Sequence, residues 1–186
     1  MPPKIKITKE EIVRTAVDIL RESGVQAVNA RTVAAALNCS TQPVFSNFAT
    51  MDDLHRAIAE QADLLFREYM KQDTESGAYP PYKAAGMAYI RFAKEEKELF
   101  KLLYMCDRQG APIPESADLF NRMEAMVHHN TGLHSPEARL FHLEMWVYVH
   151  GIAVMFATGY LDLNRELVSR MITDVYQGLK KRYEVE

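Results

Sequence analysis

The 186-residue sequence is poor in the residues that build covalent frameworks. Its two cysteines, Cys39 and Cys106, have no paired spacing, which excludes a disulfide scaffold and leaves two reduced thiols as the expectation. No apolar run reaches the roughly 18 residues of a membrane span, so no membrane partner is expected. The N-terminal MPPKIKITKEE has no apolar h-region of a secretory signal, and a cytoplasmic location is expected. A Gly-rich phosphate loop, a G-x-S-x-G elbow and an H-E-x-x-H pair are all missing, and no Cys/His arrangement has a plausible orienting group. These absences argue against an enzyme. An excess of either charge is lacking as well: 22 Lys and Arg stand against 25 Asp and Glu, a net charge of −3. Residues 1–50 carry six Lys or Arg against four Asp or Glu, a faintly basic head on an acidic body rather than a polybasic patch. Alternating strand patterns, repeats and low-complexity segments are absent too.

What is present is helical periodicity in a chain that is 48% hydrophobic, enough to bury a core. The expected fold is all-α: an N-terminal three-helix helix-turn-helix domain over 1–54, then a helical ligand-binding and dimerisation domain over 55–186, joined by a fourth helix starting near residue 51. Thr8 with Glu11 reads as a capping box and Ile7 with Ile12 as its hydrophobic staple. Ile12, Ala16, Ile19 and Leu20 form the first apolar stripe, ended by Gly24. The second helix runs from the cap Asn29 to Leu37. The third is expected from Thr41 to Phe48 with Ser40 as its cap. Thr50 and Asp53 repeat the capping pattern before a fourth helix to about Gln72. DTESGAYPPY, residues 73–82, breaks the helical pattern. Further helices are expected near 82–94, 95–106, 115–130, 136–158 and 164–182, with Ser135-Pro136 starting the fourth of these.

Residues 29–54 carry the chemistry. Ala34, Asn38 and Val44 stand at helix-turn-helix spacing: a small residue for close approach, one that tolerates left-handed φ for the turn, and a β-branched residue that locks the second helix on the first. Such a unit pushes a helix into a major groove of duplex DNA. On that helix Gln42 and Asn47 can pair with adenine in bidentate fashion. Thr41 and Ser46 suit phosphates or bases, and Pro43 offers an apolar face to a thymine methyl. Lys4, Lys6 and Arg31 are expected on phosphates, with Asn29 and Phe45 completing the candidate DNA-binding set.

On these residues the chain resembles the TetR family of transcriptional regulators. The matching positions are Gly24, Asn29, Arg31, Val33, Ala34, Leu37, Cys39, Ser40, Val44, Phe45, Phe48 and Leu54. Three positions depart from the family's pattern: Asn38 stands for the turn glycine, Phe45 for a tyrosine and Met51 for a lysine. Trp146, His150 and Gly151, with AYIRFAKEEKELFKLL at 88–103, resemble a C-terminal domain of this family with a Trp-x-x-x-His-Gly signature. The resemblance implies an all-α regulator that dimerises through its last two helices and binds a small effector among its middle helices.

The later residues add their own reading. Tyr89, Phe92, Tyr104, Met123, Met126, Trp146 and His150 are the candidate ligand contacts, because adaptable Met and aromatics with one polar handle suit an apolar cavity. Core packing is the plainer explanation of each of these residues. His150 is expected beside Trp146, one turn back. His128, His129, His134 and His142 cluster in sequence, but His128 and His129 point to different sides of a helix, so neither a metal site nor any cofactor is expected. Lys94 to Glu98 reads as a solvated helix face. Residues 136–158 are apolar on more than one face, and a two-fold four-helix interface with the last helix would cover them. The function expected is a homodimeric repressor, released from a pseudo-palindromic operator by a small apolar or amphipathic effector. The alternative is a small-molecule-binding helical protein whose DNA-binding head is weak or degenerate.

Overall fold

The computed structural model describes residues 7–105 and 117–183, and among them all regular structure is helical. Lys4, Lys6 and Cys106 fall outside the described residues.

Local signals start and stop the first helices. In α1 (Lys9–Ser23) the Thr8 hydroxyl accepts from Glu11 N at 3.1 Å, and Thr8 N donates to the Glu11 carboxylate at 2.8 Å. Gly24, at φ 76°, ends the helix and donates its N–H to Leu20 O. Asn29 caps α2 (Ala30–Ala36) by accepting from Arg31 N and Thr32 N. Asn38 takes the left-handed turn at φ 52°, as its short polar side chain allows. Helix α3 (Gln42–Asn47) begins after Thr41, and no side chain caps it, so the cap expected of Ser40 is not made. Pro43 in its first turn needs no N–H there, which lets the helix start without a capping oxygen. Thr50 and Asp53 exchange hydrogen bonds at the head of α4 (Met51–Glu75).

The chain packs into two compact units that do not follow chain order. The sequence reading divides it once, after residue 54; contacts group Met1–Phe66 with Glu96–Cys106, and Arg67–Glu95 with Asp107–Glu186. In the first unit α6 (Lys97–Tyr104) buries Leu99 and Phe100 completely. The Glu96 carboxylate accepts from both Nε and Nη2 of Arg21, at 2.8 and 2.9 Å. In the 94–98 run Lys94, Glu95 and Lys97 are exposed, as expected of a solvated face, while Glu96 and Glu98 are half-buried. Glu96 interrupts the helix and holds α1, and Lys94 pairs with Asp162 at 2.5 Å.

The second unit is built on α5 (Pro81–Glu95) and α8 (Glu137–Ala157), with α7 (Ala117–Thr131) and α9 (Arg165–Arg182) beside them. Small residues on α5, Ala84, Ala85, Gly86 and Ala88, let α8 come close: a Cβ on Gly86 would sit 3.5 Å from Val149. Phe92 and Phe141 are fully buried. Asp73 is buried against Arg91, 3.1 Å away, which removes the desolvation problem of a lone carboxylate. By length and composition α8 could cross a membrane, at a mean hydropathy of 1.4. Its Phe141, Met145, Val149, Ile152 and Phe156, however, form this unit's core. Ser135 does not cap α8 as expected. Pro136 takes that position, and the Ser135 hydroxyl donates to Glu124 instead.

Candidate nucleic-acid interface and effector site

The three N-terminal helices present a polar face on buried anchors. Ala34 and Val44 are buried where α2 meets α3, while Gln42, Phe45, Ser46 and Asn47 face solvent, Phe45 at 51% exposure. Thr41 and Pro43 are half-buried and Arg31 is exposed. Two of the candidate readers already hold a backbone group: Ser46 Oγ donates to Gln42 O and Asn47 Nδ2 to Pro43 O, both at 2.8 Å. Asn29 spends its side chain on capping α2 and on Ala27 O, so it orients that helix.

The candidate effector residues divide between the units. Tyr104 lies in the N-terminal unit, its ring 5.8 Å from that of Phe66 and 5.1 Å from that of Phe100. Tyr89, Phe92, Met123, Met126, Trp146 and His150 lie in the C-terminal unit. There Tyr89 Oη is 2.9 Å from His150 Nδ1, and the His150 ring stacks on Trp146 with centroids 5.1 Å apart. The expected packing of His150 on Trp146 is thus present. Among the described residues Trp146 Nε1, an indole N–H that can only donate, is buried without a hydrogen-bond acceptor. Burial holds the His150 imidazolium below its usual range. Phe92 packs edge-on to Tyr69 at 5.3 Å, and Met123 and Met126 are half-buried on α7.

A second Tyr–His pair escaped the sequence reading. Tyr82 Oη lies 3.0 Å from Nδ1 of His142, which is only 7% exposed. Phe120 packs edge-on to that imidazole, and Tyr176 flanks Tyr82. Burial pushes His142 down to about 4 and Tyr82 upward, so both are neutral at pH 7. The spacing held a signal: Tyr82 and Tyr89 are two turns apart on α5, as are His142 and His150 on α8. Matching spacings on two helices mark a shared seam, but only packing chooses the partner.

Two further features lie on the surface of the C-terminal unit. Leu140, Leu143 and Val147 form an exposed apolar stripe along α8, Val147 at 57% exposure, and Leu167 is exposed on α9. A cleft of about 320 Å³ is lined by Asn121, Glu124, Ala125, His128, His134, Ser135 and Ala138. Among the described residues no three His, Cys, Asp or Glu side chains converge closely enough to hold a metal ion as they stand.

Residues 82–175 match the family described as "Tetracyclin repressor-like, C-terminal domain", which covers just over half of the chain and spans the α5–α8 seam. The chain belongs to the TetR family. No curated protein matches the sequence. The solved structures similar to this TetR-family chain agree in fold over nearly its whole length. A TetR-like transcriptional regulator from Rhodococcus sp. RHA1 is 17% identical, covering 98% of this chain and 97% of its own, with a TM-score of 0.65. A protein of unknown function from the same organism is 22% identical over 97% of this chain and 96% of its own, at a TM-score of 0.70. The multidrug binding protein EbrR, complexed with malachite green, is 16% identical over 95% of this chain and 98% of its own, at 0.64. At these identities the likeness shows the fold. The family match adds the general role, that of a ligand-responsive transcription regulator.

Proposed function

We propose that this TetR-family chain is a cytoplasmic repressor that holds a pseudo-palindromic operator as a homodimer and releases it when a small apolar or amphipathic effector binds. The observation that carries the reading is the solvent-facing polar surface of α3, set on the buried anchors Ala34 and Val44. Two copies of α3 would enter successive major grooves about 34–36 Å apart. Gln42 reads a base. Asn47 reads another after giving up the Pro43 carbonyl, and Thr41 and Ser46 serve phosphates or bases. Pro43 and Phe45 meet thymine methyls. Lys4, Lys6 and Arg31 bind phosphates, and Asn29 acts through the helix it caps.

A second copy covers the Leu140–Leu143–Val147 stripe and Leu167. Gly151 on α8 and Gly178 on α9 have open space where a Cβ would point, so helices can approach closely there. The effector contacts Tyr89, Phe92, Met123, Met126, Trp146 and His150, all in the C-terminal unit. An apolar wall with a few polar handles is the usual chemistry of such sites, and EbrR with malachite green supports an effector of that kind. Effector and operator would then be coupled, each lowering affinity for the other by the same factor. The reading is of a binding protein, not a catalyst.

The test is selection of duplexes from a random pool by the purified chain at about 0.1 M salt, beside a Gln42→Ala/Asn47→Ala variant. An enriched inverted repeat, lost in the variant, is expected. No enrichment by folded, dimeric protein would favour the second reading, a ligand-binding protein with a degenerate head. Phe45 and Met51, standing where the family carries a tyrosine and a lysine, are the observations behind that alternative. Few cations also imply a shallow salt dependence; a slope near that of ten phosphate contacts would contradict it.

A further inference from the structure

Helix α8 carries a hydrogen-bond donor that none of the described residues accepts from. Trp146 is the chain's single tryptophan. Its side chain as a whole is half-buried, yet Nε1 is shut off from solvent and has no acceptor among the described residues. Buried N–H groups normally find a partner, and leaving one unmet is costly. The ring is also held in place. His150 stacks on it with 15° between the planes, and Tyr89 Oη in turn lies 2.9 Å from His150 Nδ1. A fixed donor specifies its complement, which is an acceptor atom. The charge around it is specific too. One turn to either side of Trp146 on α8 stand His142, Leu143, Val149 and His150; one turn to either side of Tyr89 on α5 stand Ala85, Gly86, Phe92 and Ala93. None of these is a carboxylate, a Lys or an Arg, and burial keeps both imidazoles neutral at pH 7.

Resting on the effector site proposed above, we propose that its effector is an uncharged apolar molecule bearing a carbonyl-type oxygen, and that this oxygen accepts from Trp146 Nε1. The oxygen supplies the acceptor that the chain itself does not, while the apolar body lies against the Trp146–His150 stack. A cation without an acceptor atom leaves Nε1 unpaired, and it meets no carboxylate one turn away on either helix. A carboxylate can accept, but no Lys or Arg stands there to offset the loss of its hydration. A neutral carbonyl is far easier to desolvate, and one donor satisfies it. Ketones, esters, lactones and amides on an aromatic or aliphatic body are the class that fits. Hydrocarbons of the same shape bind more weakly, because a site with a buried polar group rejects the analogue that leaves that group unpaired.

The experiment compares benzophenone with its hydrocarbon isostere, in which C=CH₂ replaces C=O. Each is titrated into the full chain labelled with heavy nitrogen, and the single indole N–H resonance is followed by NMR. Benzophenone is expected to move the indole proton downfield, as a new hydrogen bond does, and to bind about tenfold more tightly than the hydrocarbon. Trp146→Phe removes the donor and keeps an aromatic ring, so the preference should fall below about twofold there. Equal affinities in the parent, or an indole proton already at a hydrogen-bonded shift before either probe is added, would overturn the inference and leave the effector site standing. Failure of both probes to bind the folded chain would remove the effector site and the inference with it. The parent's own resonance reads these outcomes, so the test does not depend on Trp146→Phe folding, and duplex selection judges operator binding separately.

Discussion

The helix-turn-helix and the α5–α8 seam use similar polar pairings over very different chain distances. In the head, Thr8 meets Glu11, Asn29 meets Thr32 and Thr50 meets Asp53, each three residues on. In the seam, Tyr82 meets His142 across 60 residues and Tyr89 meets His150 across 61. The caps sit in water, where a lost hydrogen bond is partly replaced by solvent. The seam pairs sit among apolar side chains, where it is not. A change of similar size should therefore cost more in the seam than in the head.

The largest break in that comparison is Phe141→Ala. Phe141 is fully buried against Tyr176 and Tyr183, so a cavity costing about 3–5 kcal/mol is expected in denaturant unfolding. By contrast Phe45→Ala, on the exposed face of α3, should stay within about 0.5 kcal/mol of the parent. Similar losses from the two would remove the distinction.

Acid is the next lever. His142 in the folded chain titrates at about 4, below the ordinary 6.5, because burial disfavours its charged form. As pH falls from 6.5 the unfolded chain takes up this proton first. Stability present above pH 6.5 is then lost down to about pH 4, by at most about 3 kcal/mol from this group. Unfolding followed against pH should show that loss, and a His142→Gln chain should lack most of it. An identical acid profile in the variant would assign the sensitivity elsewhere.

Tyr82→Phe removes the hydroxyl facing His142 Nδ1 and leaves a buried imidazole nitrogen without its partner, at a cost of about 1–3 kcal/mol. Tyr89→Phe should cost less, since His150 is more exposed than His142. The reverse order in thermal melts would mean that the Tyr89 pair is the tighter of the two. Among the polar pairings the smallest effect is expected at the cap: Asn29→Ala should cost about 1 kcal/mol, read by the same melts. A cost above that of Tyr82→Phe would overturn the comparison itself.

These distances explain what was legible. The capping box at Thr8, the cap at Asn29, the left-handed turn at Asn38 and the anchors Ala34 and Val44 follow from residues two to ten positions apart, where helix geometry fixes who meets whom. The stacking of His150 on Trp146, four residues back, was readable for the same reason. Ser40 and Ser135 show the limit even of local reading. Both sit where a cap is preferred; Pro43 relieves the first of that duty, and Glu124 draws the second away.

By itself the sequence determined the helical class, the helix-turn-helix with its outward-facing Gln42 and Phe45, and the membership that Trp146, His150 and Gly151 announce. Those features are encoded in periodicity, caps and short spacings, which the backbone reads locally. Only the tertiary structure decided that Glu96 holds Arg21, that Tyr82 and Tyr89 take His142 and His150, and that Tyr104 joins Phe66 and Phe100. It also decided that His134 returns to His128. Each of these depends on which apolar faces bury one another, and burial is settled by the whole packed unit rather than by any one segment.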